Sequence, residues 1–271
     1  MTADTLYPIL LVHGMGFRDR RHLCYWGRIP KILKQNGARV YFGCQDSSGS
    51  VEGNALQLKA ALDRVLAETG AEKVNIVAHS KGGLEARFLI STLGYGDRVA
   101  SLTTLSTPHN GSVTVDKLLR FPAPAVKAGC KAADLWFRAL GDKSPDTYSA
   151  VNTFTTEAAK KFNSENPDDP RVYYQSYAFV MNKGTSDIFM MIPWAVVNHF
   201  EGENDGLLTP RSAEWTNFKG VYRGNGRRGI SHCDEVDMRR IGCKITSGKD
   251  SMDDIAEFYL KIVINLKKMG F

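Results

Sequence analysis

The sequence predicts an α/β fold, a mostly parallel central sheet with helices on both faces and an inserted cap or lid. Three observations predict it. Short apolar runs alternate with helical patterns over the first 105 residues, the order that lays strands side by side with helices as crossovers. The first of these runs is apolar at consecutive positions, as in strands buried on both faces. From residue 112 to about 149 the alternation stops, and Pro122, Pro124 and Pro145 punctuate short apolar clusters.

Taken in order, residues 7–12 read as the first strand, ending at His13-Gly14. Residues 26–35 are expected to form a helix closed by Asn36-Gly37, and residues 39–43 a second strand. Residues 54–68 carry Leu58, Leu62, Val65 and Leu66 at i, i+4, i+7 and i+8, one face of a helix. Residues 74–77 form the third strand, residues 84–93 a helix and residues 99–105 the fourth strand. Beyond the insertion the pattern resumes with strands at 172–174 and 196–200. The last helix places Ile255, Phe258, Tyr259, Ile262, Val263 and Leu266 on one face. All of this packs into one sheet. The expected organisation is a single domain over residues 1–271, with a cap at about 112–150.

Thirty-five Lys plus Arg against twenty-nine Asp plus Glu give a net charge of +6. The excess is scattered over Arg18, Arg20 and Arg21, over Arg227 and Arg228, and over Arg239 and Arg240. A nucleic-acid partner wants a concentrated stripe, so none is expected. No uncharged apolar run reaches the ~18 residues of a membrane span. The opening residues have neither the basic start nor the cleavage site of a secretory signal. Cys24, Cys44, Cys130, Cys233 and Cys243 form no C-x-x-C pair and read as free thiols. A cytoplasmic location is expected on those two grounds, or secretion if a leader precedes the chain.

The strongest chemical signal is Ala78-His79-Ser80-Lys81-Gly82, between the third strand and the helix after it. It fits G-x-S-x-G with Ala at the first position. The strand turns so sharply into the helix that only small residues fit two places either side of the serine. The plainer reading is a helix-capping serine beside a tight turn. A serine hydroxyl needs a base to take its proton, and the base needs a carboxylate to orient it. His109 leaves no room for an acid before it. His199 lies in an apolar segment and reads as a packed or strand histidine. His232 sits in a loop shortly before the last helix and is the candidate base. Asp205, on a turn with Gly206 after the strand at 196–200, is the candidate acid. Glu203 is a weaker rival, and Asp234 follows the histidine instead of preceding it. His13-Gly14-Met15-Gly16 after the first strand completes the set, either as a plain strand-end turn or as half of an oxyanion hole. In the second case the donors are the main-chain N–H groups of Met15 and Lys81. A lysine at a helix start opposes the helix dipole. Lys81 is expected to be solvated, to pair with Glu85, or to lean toward the mouth and favour polar or anionic substrates.

Residues 7–16, Tyr25-Trp26 and residues 37–41, 73–83, 106–112, 204–207 and 232–236 together resemble the bacterial true lipases. That family holds the Pseudomonas and Proteus triacylglycerol lipases and their Bacillus relatives, and Ala78 is similar to the Bacillus branch. The resemblance implies an α/β-hydrolase fold and a carboxylic ester hydrolase, lipase or esterase, working through an acyl-enzyme. Ser80 would be the nucleophile, Asp205 the acid and His232 the base. It implies a small-molecule or lipid ester as substrate, transient contact with a lipid interface and no cofactor. The segment between His109 and Tyr173 is shorter than in the Pseudomonas lipases. The family's structural calcium would fall on Asp234 and, with a one-residue gap, on Asp187. Acyl transfer, thioester or amide cleavage by the same triad, and a non-catalytic ligand-binding α/β-hydrolase, are the other readings.

Overall fold

Continuous burial makes the strands. The computed structural model describes residues 2–16, 18–19, 25–224, 228–240, 245–247, 250–252 and 254–271. Arg20, Arg21, Cys24, Arg227 and Cys243 lie outside the described residues. Every residue of β1 (Ile9–Val12), β3 (Val74–His79) and β4 (Val99–Leu105) is buried, as expected for strands covered on both faces. With β2 (Val40–Phe42), β5 (Tyr173–Val180) and β6 (Phe218–Gly224) they pair in parallel, in the order β2-β1-β3-β4-β5-β6. The short strands β7 (Ile245–Ser247) and β8 (Asp250–Met252) extend the β6 edge antiparallel.

Helices cover both faces. On one face α2 (Val51–Thr69) and α3 (Lys81–Ser91) bury Leu58, Leu62, Val65 and Leu89 against Leu10, Ile76 and Leu102. On the other, α1 (Ile29–Gln35) and α10 (Ile255–Lys268) pack Ile29, Leu33, Phe258, Tyr259 and Ile262 against Ile9, Leu11 and Phe179. Each such side chain contributes about 1.5–3 kcal/mol by leaving water. Caps set the helix ends. The Ser50 hydroxyl accepts the Gly53 N–H at 3.1 Å, and Gly70 ends α2 at φ +67. The Asp254 carboxylate caps Ala256 and Glu257.

The expected strand at 196–200 is instead part of helix α8 (Met191–Glu201). A four- or five-residue apolar run carries too little period to separate the two. Here the apolar residues continue back to Met191 and Ile192, which gives helical length. His199 is exposed on this helix and is neither packed nor in a strand. The strand that follows Asp205 is β6, which buries only Tyr222 and Gly224 and so lacks an unbroken apolar run.

Residues 112–150 hold α4 (Val113–Leu118), α5 (Ala123–Ala139) and the start of α6 (Thr147–Asn152). Both roots are pinned. Asp116 accepts the Thr156 N–H and hydroxyl at 3.0 and 2.7 Å. Asp142 accepts the N–H groups of Ser47 and Ser48, while Asp46 accepts those of Lys143 and Ser144. Between these anchors α5 buries no residue and exposes Leu135 and Trp136. The remaining helices are α7 (Thr156–Glu165) and α9 (Pro210–Ala213). No helix among the described residues is long and apolar enough to cross a membrane.

Candidate active site

The site begins where β3 ends. Ser80 has φ +53 and ψ −131, a left-handed backbone that a non-glycine residue adopts at a cost of about 1–3 kcal/mol. The turn throws its side chain to the carboxyl edge of the sheet while α3 starts at Lys81. Its small neighbours are required. A Cβ on Gly82 would lie 2.5 Å from the His13 carbonyl oxygen and 2.6 Å from that of Val12. Gly82→Ala is therefore expected to lower unfolding free energy by roughly 1–3 kcal/mol in urea denaturation, and an unchanged midpoint would contradict this packing.

The loop after β1 closes on the same point. A Cβ on Gly14 would lie 2.7 Å from Ser80 Cβ, so the main chain itself touches the serine. Among the described residues the N–H groups of Met15 and Lys81 have no protein acceptor. The loop is held from behind. His13 Nε2 donates to the Gln45 carbonyl oxygen at 3.0 Å, and Gln45 Nε2 donates to the His13 carbonyl oxygen and to Glu85, each at 2.9 Å.

Asp205 and His232 meet. His232 Nδ1 donates to Asp205 Oδ2 at 2.8 Å, and the main-chain N–H of His232 donates to the Asp205 carbonyl oxygen at 2.8 Å. Asp205 Oδ1 accepts the N–H groups of Leu207 and Leu208, each at 2.8 Å. Burial pushes this carboxylate up, but the adjacent His232 and these N–H groups outweigh it and hold it at about 2. The His232 ring lies 4.4 Å, centroid to centroid, from that of His79, the residue before Ser80. The Ser80 hydroxyl makes no hydrogen bond among the described residues, so it is presented rather than tied down.

A buried polar chain that sequence reasoning missed runs behind these groups. Tyr25 Oη donates to His79 Nδ1 at 2.7 Å, and His79 Nε2 donates to Glu235 Oε2 at 3.0 Å. Gly14 N–H is the main-chain partner of Tyr25 Oη. Burial, then the nearby His232, push His79 well below the ordinary histidine value. Burial, then the Asp205 carboxylate, push Glu235 well above the ordinary range, which favours its neutral form. Its Oε1 lies 3.9 Å from His232 Nδ1. Because the folded value is raised, Glu235 contributes its stability below the ordinary value of 4.5 and loses it as pH rises toward the folded value. Glu235→Gln keeps the neutral shape. It is expected to remain active and to gain on the wild type in urea stability as pH rises above 4.5. A gap that shrinks with pH would show that Glu235 is ionised in the fold.

Lys81 neither is solvated nor leans toward the mouth. It is fully buried, paired with Glu85, and donates to the Gly49 carbonyl oxygen at 2.9 Å. The charge that opposes the helix dipole is neutralised one turn on, and Asn54 and Gln45 satisfy the rest of Glu85. His109 is buried beside Arg87 and Thr104 and stacks on Trp215. Glu203 is spent on Arg223 at 2.8 Å, and Asp234 on Arg239 and Arg228. Among the described residues, two groups could be asked to hold a metal. His79, His232 and Glu235 have donor atoms within 4.8 Å of one another, but these nitrogens are engaged in the chain above. Asp187 and Asp234 share a guanidinium instead. Cys44, Cys130 and Cys233 are unpaired.

Residues 8–224 match the family described as palmitoyl protein thioesterase. The triacylglycerol lipase 2 of Saccharomyces cerevisiae is 30% identical over 264 residues, covering 91% of this chain and 74% of that protein. A triacylglycerol lipase of Vibrio cholerae is 31% identical over 262 residues, covering 86% and 80%. Among solved structures, the mature lipase BlEst2 of Bacillus licheniformis superposes with a TM-score of 0.61 at 23% identity, covering 86% of this chain and 87% of that one. The Staphylococcus hyicus lipase gives 0.68 at 17% identity, covering 98% and 96%. At those identities the two structures speak for the fold alone, an α/β-hydrolase. By these matches the chain belongs to the palmitoyl protein thioesterase family of α/β-hydrolases, alongside the bacterial lipases that its sequence resembles, and is a carboxylic ester hydrolase.

Proposed function

We propose that the chain is a lipase or esterase that cleaves acyl esters through a covalent intermediate on Ser80. The observation that carries this is the left-handed serine at the end of β3, whose chain neighbour His79 has its ring 4.4 Å from that of His232, with the His232 Nδ1–H fixed by a buried, ionised aspartate. With Nδ1 protonated, His232 Nε2 is free to take the Ser80 proton. The serine oxygen attacks the ester carbonyl, and the N–H groups of Met15 and Lys81 receive the oxyanion. Losing one such donor typically costs ~100- to 1,000-fold in turnover. His232 returns the proton to the departing alcohol. Water then repeats the sequence and frees the acid.

Triacylglycerols or related lipid esters are the substrate class this reading favours, on the names of the two relatives above. Exposed Leu207 beside Asp205, and Ile188 and Phe189 after Asp187, offer an apolar approach for acyl chains or transient contact with a lipid surface. The chain acts as one domain with its cap at 112–150. Unpaired Cys44, Cys130 and Cys233 favour a cytoplasmic setting. A second reading, cleavage of acyl thioesters by the same groups, rests on the description of the matched family. A panel of glycerol esters of rising chain length, run beside the matching acyl thioesters, tests both. Faster turnover of the esters supports the first reading, and faster turnover of the thioesters supports the second.

A further inference from the structure

The loop that carries His232 is held by a charge cluster that the chemistry above does not use. Asp234, two residues past the base, accepts Arg239 Nε at 3.0 Å and Nη2 at 2.5 Å, with Arg228 Nη2 at 3.3 Å. Asp187, fully buried, lies 3.3 Å from the same Arg239 Nε and accepts the Ser231 hydroxyl at 2.6 Å. Arg239 Nη1 donates to the Ser186 carbonyl oxygen at 3.2 Å. One guanidinium thus joins two buried acids from segments far apart in the chain. Ser231 and Asp234 flank His232, so the clamp fixes the loop from which the imidazole reaches Asp205.

The lipase resemblance implies calcium on these same two aspartates. The residues as arranged do not fit it. Calcium takes six to eight oxygens at about 2.3–2.6 Å, whereas the two carboxylates here turn toward the N–H groups of a fixed cation. We propose that Arg239 is a positioning residue that stands in for a divalent cation, so that neither the fold nor the activity draws on calcium. Its truncation uncovers a calcium site made of Asp187, Asp234 and the Ser186 carbonyl. Without Arg239 the two acids keep, among the described residues, only the part-exposed Arg228 as a cation. Facing carboxylates next to a free carbonyl oxygen are what a hard cation seeks.

The activity half of this proposal rests on His232 being the base, and the thermal half does not. The full chain is compared as wild type, Arg239→Ala, Arg239→Lys and Asp187→Asn/Arg239→Ala, each in EDTA and in millimolar calcium chloride. The wild type is expected to melt at the same temperature in both. Arg239→Ala is expected to melt several degrees lower in EDTA and to recover in calcium, with calcium alone binding in a calorimeter. On a short-chain ester its kcat is expected to fall about tenfold with KM little changed and to return with calcium. The double variant should lose the calcium response, and Arg239→Lys should keep activity without gaining one. If Arg239→Ala is not obtained folded, refolding from denaturant decides. Recovery only in calcium supports the proposal, and equal recovery with and without it refutes it. A wild type destabilised by EDTA, or an Arg239→Ala that binds no calcium, overturns the proposal. Full activity in His232→Ala would overturn the triad instead and leave the thermal results standing.

Discussion

Ser80→Ala is expected to lower kcat by about 10⁴- to 10⁶-fold and to leave the melting temperature almost unchanged. The hydroxyl makes no hydrogen bond among the described residues, so its removal breaks no contact. Alanine pays the same backbone strain at φ +53 as serine does. What is lost is the atom that forms the covalent bond. The oxyanion donors and the bound substrate remain, which is why a residual rate over water is expected. Adding His232→Ala should cost little more, because a base without its nucleophile has nothing to do. Kinetics and melting curves on purified single and double variants check this, and additive losses would show that the two groups do not act together.

Asp205→Asn is expected to lower kcat by about 10⁴-fold without disturbing the turn. Oδ1 of Asp205 is committed to the N–H groups of Leu207 and Leu208. An asparagine must present its carbonyl oxygen there, which turns its NH₂ toward His232 Nδ1. The imidazole then keeps its proton on Nε2, where it cannot accept one from Ser80. The substitution also removes an ionised group whose folded value is depressed to about 2. Such a group contributes stability above its unfolded value, near 4, and loses it as pH falls through 2. The wild type should therefore exceed the variant in urea stability at neutral pH, and the gap should close in strong acid. Loss of activity with no such pH dependence would place the role of Asp205 in the imidazole tautomer alone.

What the sequence showed depended on how local the cause was. β1, β3 and β4 were legible because strands buried on both faces leave unbroken apolar runs. α2 and α10 were legible because nineteen and fourteen residues give several turns of period. The serine turn was legible because its steric demand falls on Ala78 and Gly82, two residues away. α8 was read as a strand from Val196 and Val197, although β-branching decides little once an apolar segment is long enough for a helix. Tyr25 and Glu235 were missed as site residues because their partner, His79, is 54 and 156 positions distant. No spacing rule reaches that far. The pairing of Lys81 with Glu85 was legible from their i, i+4 spacing, but its full burial was not, because Gly49, Asn54 and Gln45 close around the pair only in the folded chain.

The proposed chemistry requires Ser80, His232 and two main-chain N–H groups to surround one reacting carbon. A crystal structure of the chain inactivated by an alkyl fluorophosphonate tests it most directly. Phosphorus is expected to be bonded to Ser80 Oγ, with the phosphonyl oxygen about 2.7–3.1 Å from the nitrogens of both Met15 and Lys81 and His232 Nε2 facing the serine oxygen. An adduct on another residue, or a phosphonyl oxygen turned away from both N–H groups, would contradict it.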